Sequence, residues 1–395
     1  MGSSSAPGAW LRLTAFAAVA GTVLAVVSGS FELGTTHRAL AALAGPPLVA
    51  LVIAARLARP SLLAPSALAL TLFGAAALVT QPALHVTFAA LAAAASAVTC
   101  ALTFRGEQVP AGSWRDYLTL TKPRIMTLLL LTGACGMIVA EGGLPPLGLF
   151  VAAMSGLALA CGGASALNHV LDADIDRLMG KRTAKRPVAA GRIEPARALE
   201  FGLALSAFSF VLLTSVVNVL AAALALAGNL FYVLVYTRWL KRSTPQNIVI
   251  GGAAGAVPPL VGWAAATGNL SLPALLLFLI VFFWTPPHFW ALALLIKQAY
   301  ADAHIPMLPV VRGERATIRQ IVGYTVVLIG VTLLPVLSGT LGVLYASAAI
   351  ALGLVFLLLT WRLRGGELRP RAALLFHYSL AYLALLFVAA AADVL

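Results

Sequence analysis

The chain has 395 residues, 61% of them hydrophobic and only 10% charged, with a formal net charge of +13. A soluble domain cannot hide that much apolar surface, so a polytopic membrane protein is expected. Its apolar runs are long rather than alternating, which makes the spans helices and excludes a barrel.

Apolar segments of spanning length fall near 10–28, 39–56, 61–79, 84–103, 125–140, 147–167, 201–217, 219–236, 247–265, 272–293, 320–338, 342–360 and 372–391, about thirteen in all. The N-terminus, MGSSSAPGAWLRLTAF, carries one arginine and no convincing cleavage site, so 10–28 is read as a first span. With the N-terminus in the cytoplasm, all of the 26 Lys and Arg except Arg38 fall on the cytoplasmic side or at cytoplasmic helix ends. The basic excess is therefore topology, and nucleic acid is not expected as a partner. Cys100, Cys135 and Cys161 stand singly in apolar runs without a CxxC spacing, which suits packing.

Within the first four spans, TTHRALAALAG opens the second and QPALHVTFAALAAAA the fourth. This puts His37 and His85 near the outer face at similar depth. Two neutral imidazoles on neighbouring helices can ligate one heme iron, and they can equally be interfacial residues of a four-helix appendage. A polar break at 104–121, FRGEQVPAGSWRDYLTLT, then separates the parts. The expected domains are a four-helix transmembrane unit over 1–104, a cytoplasmic linker over 105–121 and a nine-helix unit over 122–395.

The next informative stretch is NHVLDADIDRLMGKRTAKRP, residues 168–187. Asn168, Asp172 and Asp176 follow an i, i+4, i+8 spacing, a step of about 40° each on a helix, so all three share one face. Asp174 points elsewhere. A carboxylate in the bilayer core costs about 2.5–3.5 kcal/mol, and neighbouring carboxylates repel unless a cation sits among them. Few oxygen ligands suit Mg²⁺ that keeps its waters and shares its shell with a phosphate. The basic residues that follow, Arg177, Lys181, Arg182, Lys185 and Arg186, suit the other side of the same anion. The pattern reads as a metal–diphosphate site at a membrane surface; a solvated basic loop is the alternative. An allylic diphosphate ionises where Mg²⁺ and basic groups stabilise the departing diphosphate, and a lipophilic pocket shelters the allyl cation.

Several stretches carry a family likeness: YLTLTKPRIMTLLLLT, NHVLDADIDRLMGKRTAKRPVAAGRI, YTRWLKRSTPQNIVIGGAAGAVPPLVGWAAATG, WTPPHFWALAL and IPMLPVVRG. Residues 117–393 resemble the UbiA superfamily of intramembrane prenyltransferases, and the LKRSTPQN and WTPPHFW stretches resemble its heme-directed branch, the protoheme IX farnesyltransferases or heme O synthases. The resemblance implies a nine-helix bundle that transfers a farnesyl group from farnesyl diphosphate to a vinyl group of protoheme IX (heme b), with water addition, giving heme O. It implies that Asn168, Asp172 and Asp176 hold Mg²⁺. Lys122, Arg124, Lys181, Arg182, Lys185, Arg186 and Lys241 would contact the diphosphate, and Tyr236 and Lys241 would close the site. His288 either faces the heme or is a packed histidine after two prolines.

One departure stands out. Where the branch usually has two aspartates before a tyrosine and PMLP, this chain reads LIKQAYADAHIPMLP. Gln298 and Ala299 occupy the acidic positions, Asp302 is the nearest carboxylate and a candidate metal ligand, and His304 stands where glycine is common. The first four helices resemble half of heme A synthase, with the outer loop reduced to SGSFELGTT and Glu32. This implies a further heme b on His37 and His85, or docking of heme A synthase. Competing readings keep the chemistry with a quinone-type aromatic acceptor, or make the chain a non-catalytic heme-binding assembly protein. The STPQN and WTPPHFW stretches weigh against the quinone acceptor. Spans almost bare of ionisable residues apart from His377 weigh against a transporter. A bacterial plasma membrane is the expected location.

Overall fold

In a computed structural model the chain is helical, with no strand among the described residues, which are 6–30, 35–58, 63–78, most of 89–100, and 112–395. It forms two compact units, Met1–Pro110 and Ala111–Leu395.

The first unit contains α1 (Ala6–Ser30), α2 (Thr35–Ala58), α3 (Leu63–Leu78) and a shorter helical stretch, α4 (Leu91–Cys100). A Cβ on Gly21 would lie 3.0 Å from the Cα of Ala44, so α1 and α2 cross at a distance that small residues permit. Leu11, Ala15, Ala18, Leu48, Leu51 and Ala55 build the core between them. His37 is on α2, but its side chain, with Glu32 and His85, lies outside the described residues.

The second unit opens inside the stretch expected to be a linker. There α5 (Trp114–Leu120) is closed by a capping box between Ser113 and Asp116. Leu120 is fully buried, and its carbonyl accepts a 2.6 Å hydrogen bond from Ser165. The charges of Arg115 and Asp116 suggest a loop, but the cap and the seat for Leu120 make a helix.

Nine helices of the described residues are long and apolar enough to cross a membrane, all of them in this unit. In chain order they begin with α6 (Pro123–Glu141) and α7 (Leu147–Leu171). The short α8 (Ala173–Leu178) and α9 (Lys181–Ala184) follow. Next come α10 (Pro195–Leu212), prolonged by a π turn to Val217, and α11 (Val219–Leu230). The latter continues in π geometry over Phe231–Leu240 into α12 (Lys241–Ser243). Then α13 (Asn247–Thr267) and α14 (Leu272–Leu295) precede the short α15 (Lys297–Asp302) and α16 (Leu308–Val311). The last three spans are α17 (Gly313–Leu337), α18 (Val343–Arg362) and α19 (Leu368–Asp393).

The glycine-rich stretch GGAAGAVPPLVGW forms the closest crossing in the unit. A Cβ on Gly262 would sit 1.9 Å from the carbonyl oxygen of Gly133, and one on Gly136 would sit 2.8 Å from that of Pro259. Lipid supplies no hydrophobic force between helices, so this close backbone approach is what holds α6 against α13. Gly251 serves the site instead, since a Cβ there would meet the ring of Tyr236 at 2.3 Å. The glycine makes the seat in which that tyrosine lies.

Candidate active site

The end of α7 carries the acidic face. Asn168 is on the last turn, Asp172 is the hinge residue at φ −96° and ψ 6°, and Asp176 follows on α8. The backbone N–H of Asp176 still donates to the carbonyl of Asp172 at 2.8 Å, so the turn preserves the helical spacing through the hinge. All three side chains are at least 97% buried, which concentrates two carboxylates away from water.

Three cations from distant parts of the chain meet them. Lys241 Nζ is 2.5 Å from Asp172 Oδ2, and Arg186 Nη1 is 2.6 Å from Asp176 Oδ1. Lys122 Nζ donates to Asn168 Oδ1 at 2.8 Å. The Asn168 amide nitrogen in turn donates to Asp172 Oδ2 at 2.7 Å and to Thr237 Oγ1 at 3.1 Å. Asn168 thus works as an organiser that joins Lys122 to Asp172. Burial lowers the Lys122 ammonium to about 7, with the Arg186 charge next in effect. Burial raises the Asp176 carboxyl above its ordinary range, against the pull of Arg186.

Local backbone explains the placement of two of these groups. Lys122 has φ of 49°, the left-handed region, directly before Pro123 at the start of α6. A residue before proline avoids the helical regions, so the corner is strained, as backbone at functional sites often is. The π segment Phe231–Leu240 brings Thr237 to Asn168 and stacks Tyr236 on Tyr232, ring centroids 5.5 Å apart. Such π geometry recurs at functional sites because it re-aims side chains.

A hard divalent cation fits this donor set. Asp172 Oδ1 and Asp176 Oδ2 are buried and have no hydrogen-bond partner, while their sister oxygens are neutralised by Lys241 and Arg186. Among the described residues no group of three or more His, Cys, Asp or Glu gathers. The chain therefore offers two carboxylates and an amide, which leaves coordination for water and phosphate oxygens.

Other expected residues are placed elsewhere. Arg124, Lys181 and Lys185 are exposed. The side chain of Arg182 lies outside the described residues. Asp174 points away from the trio and pairs with Arg242 at 2.7 Å, which holds its carboxyl down at about 2. Asp302 is exposed and accepts from Gln298 Nε2 at 2.8 Å. His288 is sandwiched between Trp284 and Phe376, centroids 4.3 and 4.8 Å away, and shares a 2.6 Å hydrogen bond with Ser379. Both faces of its ring are covered, and the contact ties α14 to α19.

Motif spacing did not single out Thr237, Arg242 or Tyr300. Tyr300 on α15 is buried, and its hydroxyl is pushed up to about 12 by burial, with Arg186 opposing and Asp172 adding. It shares a buried core with Ile175 of α8, and Tyr236 packs against that core. Only its position beside the altered acidic stretch pointed to it.

A family profile described as the UbiA prenyltransferase family matches residues 129–381. The chain is 54% identical over 286 residues to a protein named protoheme IX farnesyltransferase from Symbiobacterium thermophilum, covering 71% of this chain and 94% of that relative. It is 52% identical over 281 residues to protoheme IX farnesyltransferase 1 of Pseudomonas putida, covering 71% and 94%. Against the protoheme IX farnesyltransferase of Thermus thermophilus it is 52% identical over 292 residues, covering 73% of this chain and 48% of that longer relative. A solved digeranylgeranylglyceryl phosphate synthase shares the fold with a TM-score of 0.60 at 17% identity, covering 71% of this chain and 98% of that one. So does a UbiA homolog from Archaeoglobus fulgidus bound to DMAPP and Mg²⁺, with a TM-score of 0.56 at 18% identity, covering 68% and 99%. This is an enzyme of the membrane, and the chain belongs to the UbiA prenyltransferase family.

Proposed function

We propose that the protein transfers a farnesyl group from farnesyl diphosphate to a vinyl group of protoheme IX, giving heme O. The observation that carries this reading is the buried pair of unpartnered carboxylate oxygens, Asp172 Oδ1 and Asp176 Oδ2, ringed by Lys122, Arg186 and Lys241. Two carboxylates alone would repel a diphosphate, and three cations alone would not need burying beside acids. Together they suit an anion that arrives with a divalent metal. The heme acceptor is supported by the names of the relatives at 52–54% identity.

Mg²⁺, held by Asp172 and Asp176 and reached by Asn168, would neutralise charge that builds on the leaving diphosphate. Lys122, Arg186 and Lys241 bind the same anion from the protein side and share that charge. As the allylic C–O bond breaks, its electron pair leaves with the diphosphate. The farnesyl carbon then bonds to the vinyl group, and water adds to the cation so formed, releasing a proton. Tyr232 and Tyr236 stack next to Thr237 and would close the site against bulk water. We place the site at the cytoplasmic face of a bacterial plasma membrane, with the N-terminus cytoplasmic, on the distribution of Lys and Arg.

Membranes carrying the protein, incubated with protoheme, farnesyl diphosphate and Mg²⁺, should yield a product whose mass is that of heme plus a farnesyl and a hydroxyl group. A farnesylated aromatic ring, or no product from a folded protein, rejects the reading. For the first unit we propose a heme b on His37 and His85. The heme absorbance of the full chain should fall in His37→Ala and His85→Ala, and an unchanged spectrum rejects it.

A further inference from the structure

Among the described residues, eleven buried polar side-chain atoms have no hydrogen-bond partner, and four of them belong to one short stretch. They are Asp172 Oδ1, Asp176 Oδ2 and both ring nitrogens of His169. The two carboxylate oxygens are explained by the metal that the proposed reaction requires. His169 is not.

His169 is 2% exposed on the last turn of α7, one residue after Asn168. Ser165 lies one turn earlier on the same stripe and bonds to the carbonyl of Leu120, so this stripe faces the corner between α5 and α6 from which Lys122 extends. Lys122 bonds Asn168, the residue before His169, and Arg186 bonds Asp176, two turns further along the same face. A buried imidazole with neither nitrogen paired is a standing cost to the fold, and a leucine there would avoid it. On a face that already carries two unpartnered carboxylate oxygens and two cations, the ring is free to take its partner from whatever enters the site.

We infer that His169 is a diphosphate-binding residue, its ring N–H donating to an oxygen of the anion that Lys122 and Arg186 attract. The inference rests on the diphosphate reading of this site and adds a donor that neither the motif nor the ion pairs supply. A neutral imidazole has one N–H and one bare nitrogen, whereas a diphosphate has only acceptor oxygens, so the N–H is the atom that meets it. The bare nitrogen is met by a water from the hydration shell of the anion.

The test uses the full-length protein in detergent, with inorganic pyrophosphate and Mg²⁺ as the probe. Two measurements are made on wild type, His169→Leu and His169→Gln: pyrophosphate binding by calorimetry, and the Tm without ligand. His169→Leu should bind about tenfold more weakly, since a hydrogen bond to a charged group is lost. Its ligand-free Tm should rise, because an unpaired polar ring has been replaced by a packed apolar side chain. His169→Gln, which restores an N–H, should bind within about threefold of wild type. A role in packing alone would move Tm without this split. Unchanged binding in His169→Leu overturns the inference, and so does a lower ligand-free Tm, which would reveal a partner inside the protein. Failure of the wild type to bind Mg²⁺-pyrophosphate overturns the diphosphate reading itself, and the inference with it.

Discussion

The chain leaves the bundle twice by the same backbone device. At the first exit α7 ends at Leu171, turns at Asp172 and continues as a six-residue helix; at the second α14 ends at Leu295, turns at Ile296 and continues as another six-residue helix. Eight residues after each hinge the backbone turns left-handed, at Gly180 with φ 104° and at His304 with φ 54°. The face that reads Asn168, Asp172, Asp176 at the first exit reads Leu292, Ile296, Tyr300 at the second. One geometry thus serves two chemistries: the first exit gathers buried carboxylates and cations, while the second contributes a buried tyrosine. The carboxylate of the second exit, Asp302, is two residues off that face, exposed, and bonded to Gln298. Among the described residues, buried carboxylates therefore gather at the first exit alone.

Removing the acid at the first hinge gives the largest expected effect. Asp172→Ala strands Lys241 Nζ in a buried site, and breaking a buried pair costs about 3–5 kcal/mol. Denaturant unfolding should show that loss, and product formation should fall by about 10²–10³-fold. Equal activity in a folded Asp172→Ala protein breaks the comparison outright. At the second exit, Tyr300→Phe removes one buried hydroxyl from the core shared with Ile175 of α8, which should lower kcat/KM about fivefold, or about 1 kcal/mol. No change would mean that the second exit is only packing.

His304→Gly makes the second exit like the first. Only glycine occupies the left-handed region without a Cβ penalty, so the substitution should stabilise by up to about 1 kcal/mol, read as a rise in Tm. The brace beside the first exit is Asp116, which bonds Arg192 at 2.8 Å and caps α5. The Ser113 backbone N–H, followed by the Arg192 guanidinium, holds its carboxyl below the usual aspartate range. Because this pKa is depressed in the fold, its contribution is present above that range and is lost as pH falls through it. Asp116→Asn should therefore cost about 0.5–1 kcal/mol at neutral pH and flatten the acid limb of a stability-versus-pH curve. The smallest effect is expected from Asp302→Ala, with turnover and Mg²⁺ dependence within twofold of wild type, in keeping with surface substitutions away from special features. A large loss would show that Asp302 swings in to take over the missing second acidic motif.

The sequence by itself determined what is local. Helical spans follow from runs of apolar residues, because lipid leaves the backbone no other partner. The shared face of Asn168, Asp172 and Asp176 follows from a four-residue spacing that survives even a hinge. Tertiary structure decided which cations answer that face. Lys181, Lys185 and Arg186 look alike in sequence, yet only Arg186 reaches Asp176, while Lys241 comes from 69 residues away. It also decided that α5 is a helix, that Asp302 stays outside, and that Tyr300 is buried at the second exit. Those outcomes turn on where each backbone passes and which side chain is buried there, quantities fixed by packing across the bundle that no spacing along the chain encodes.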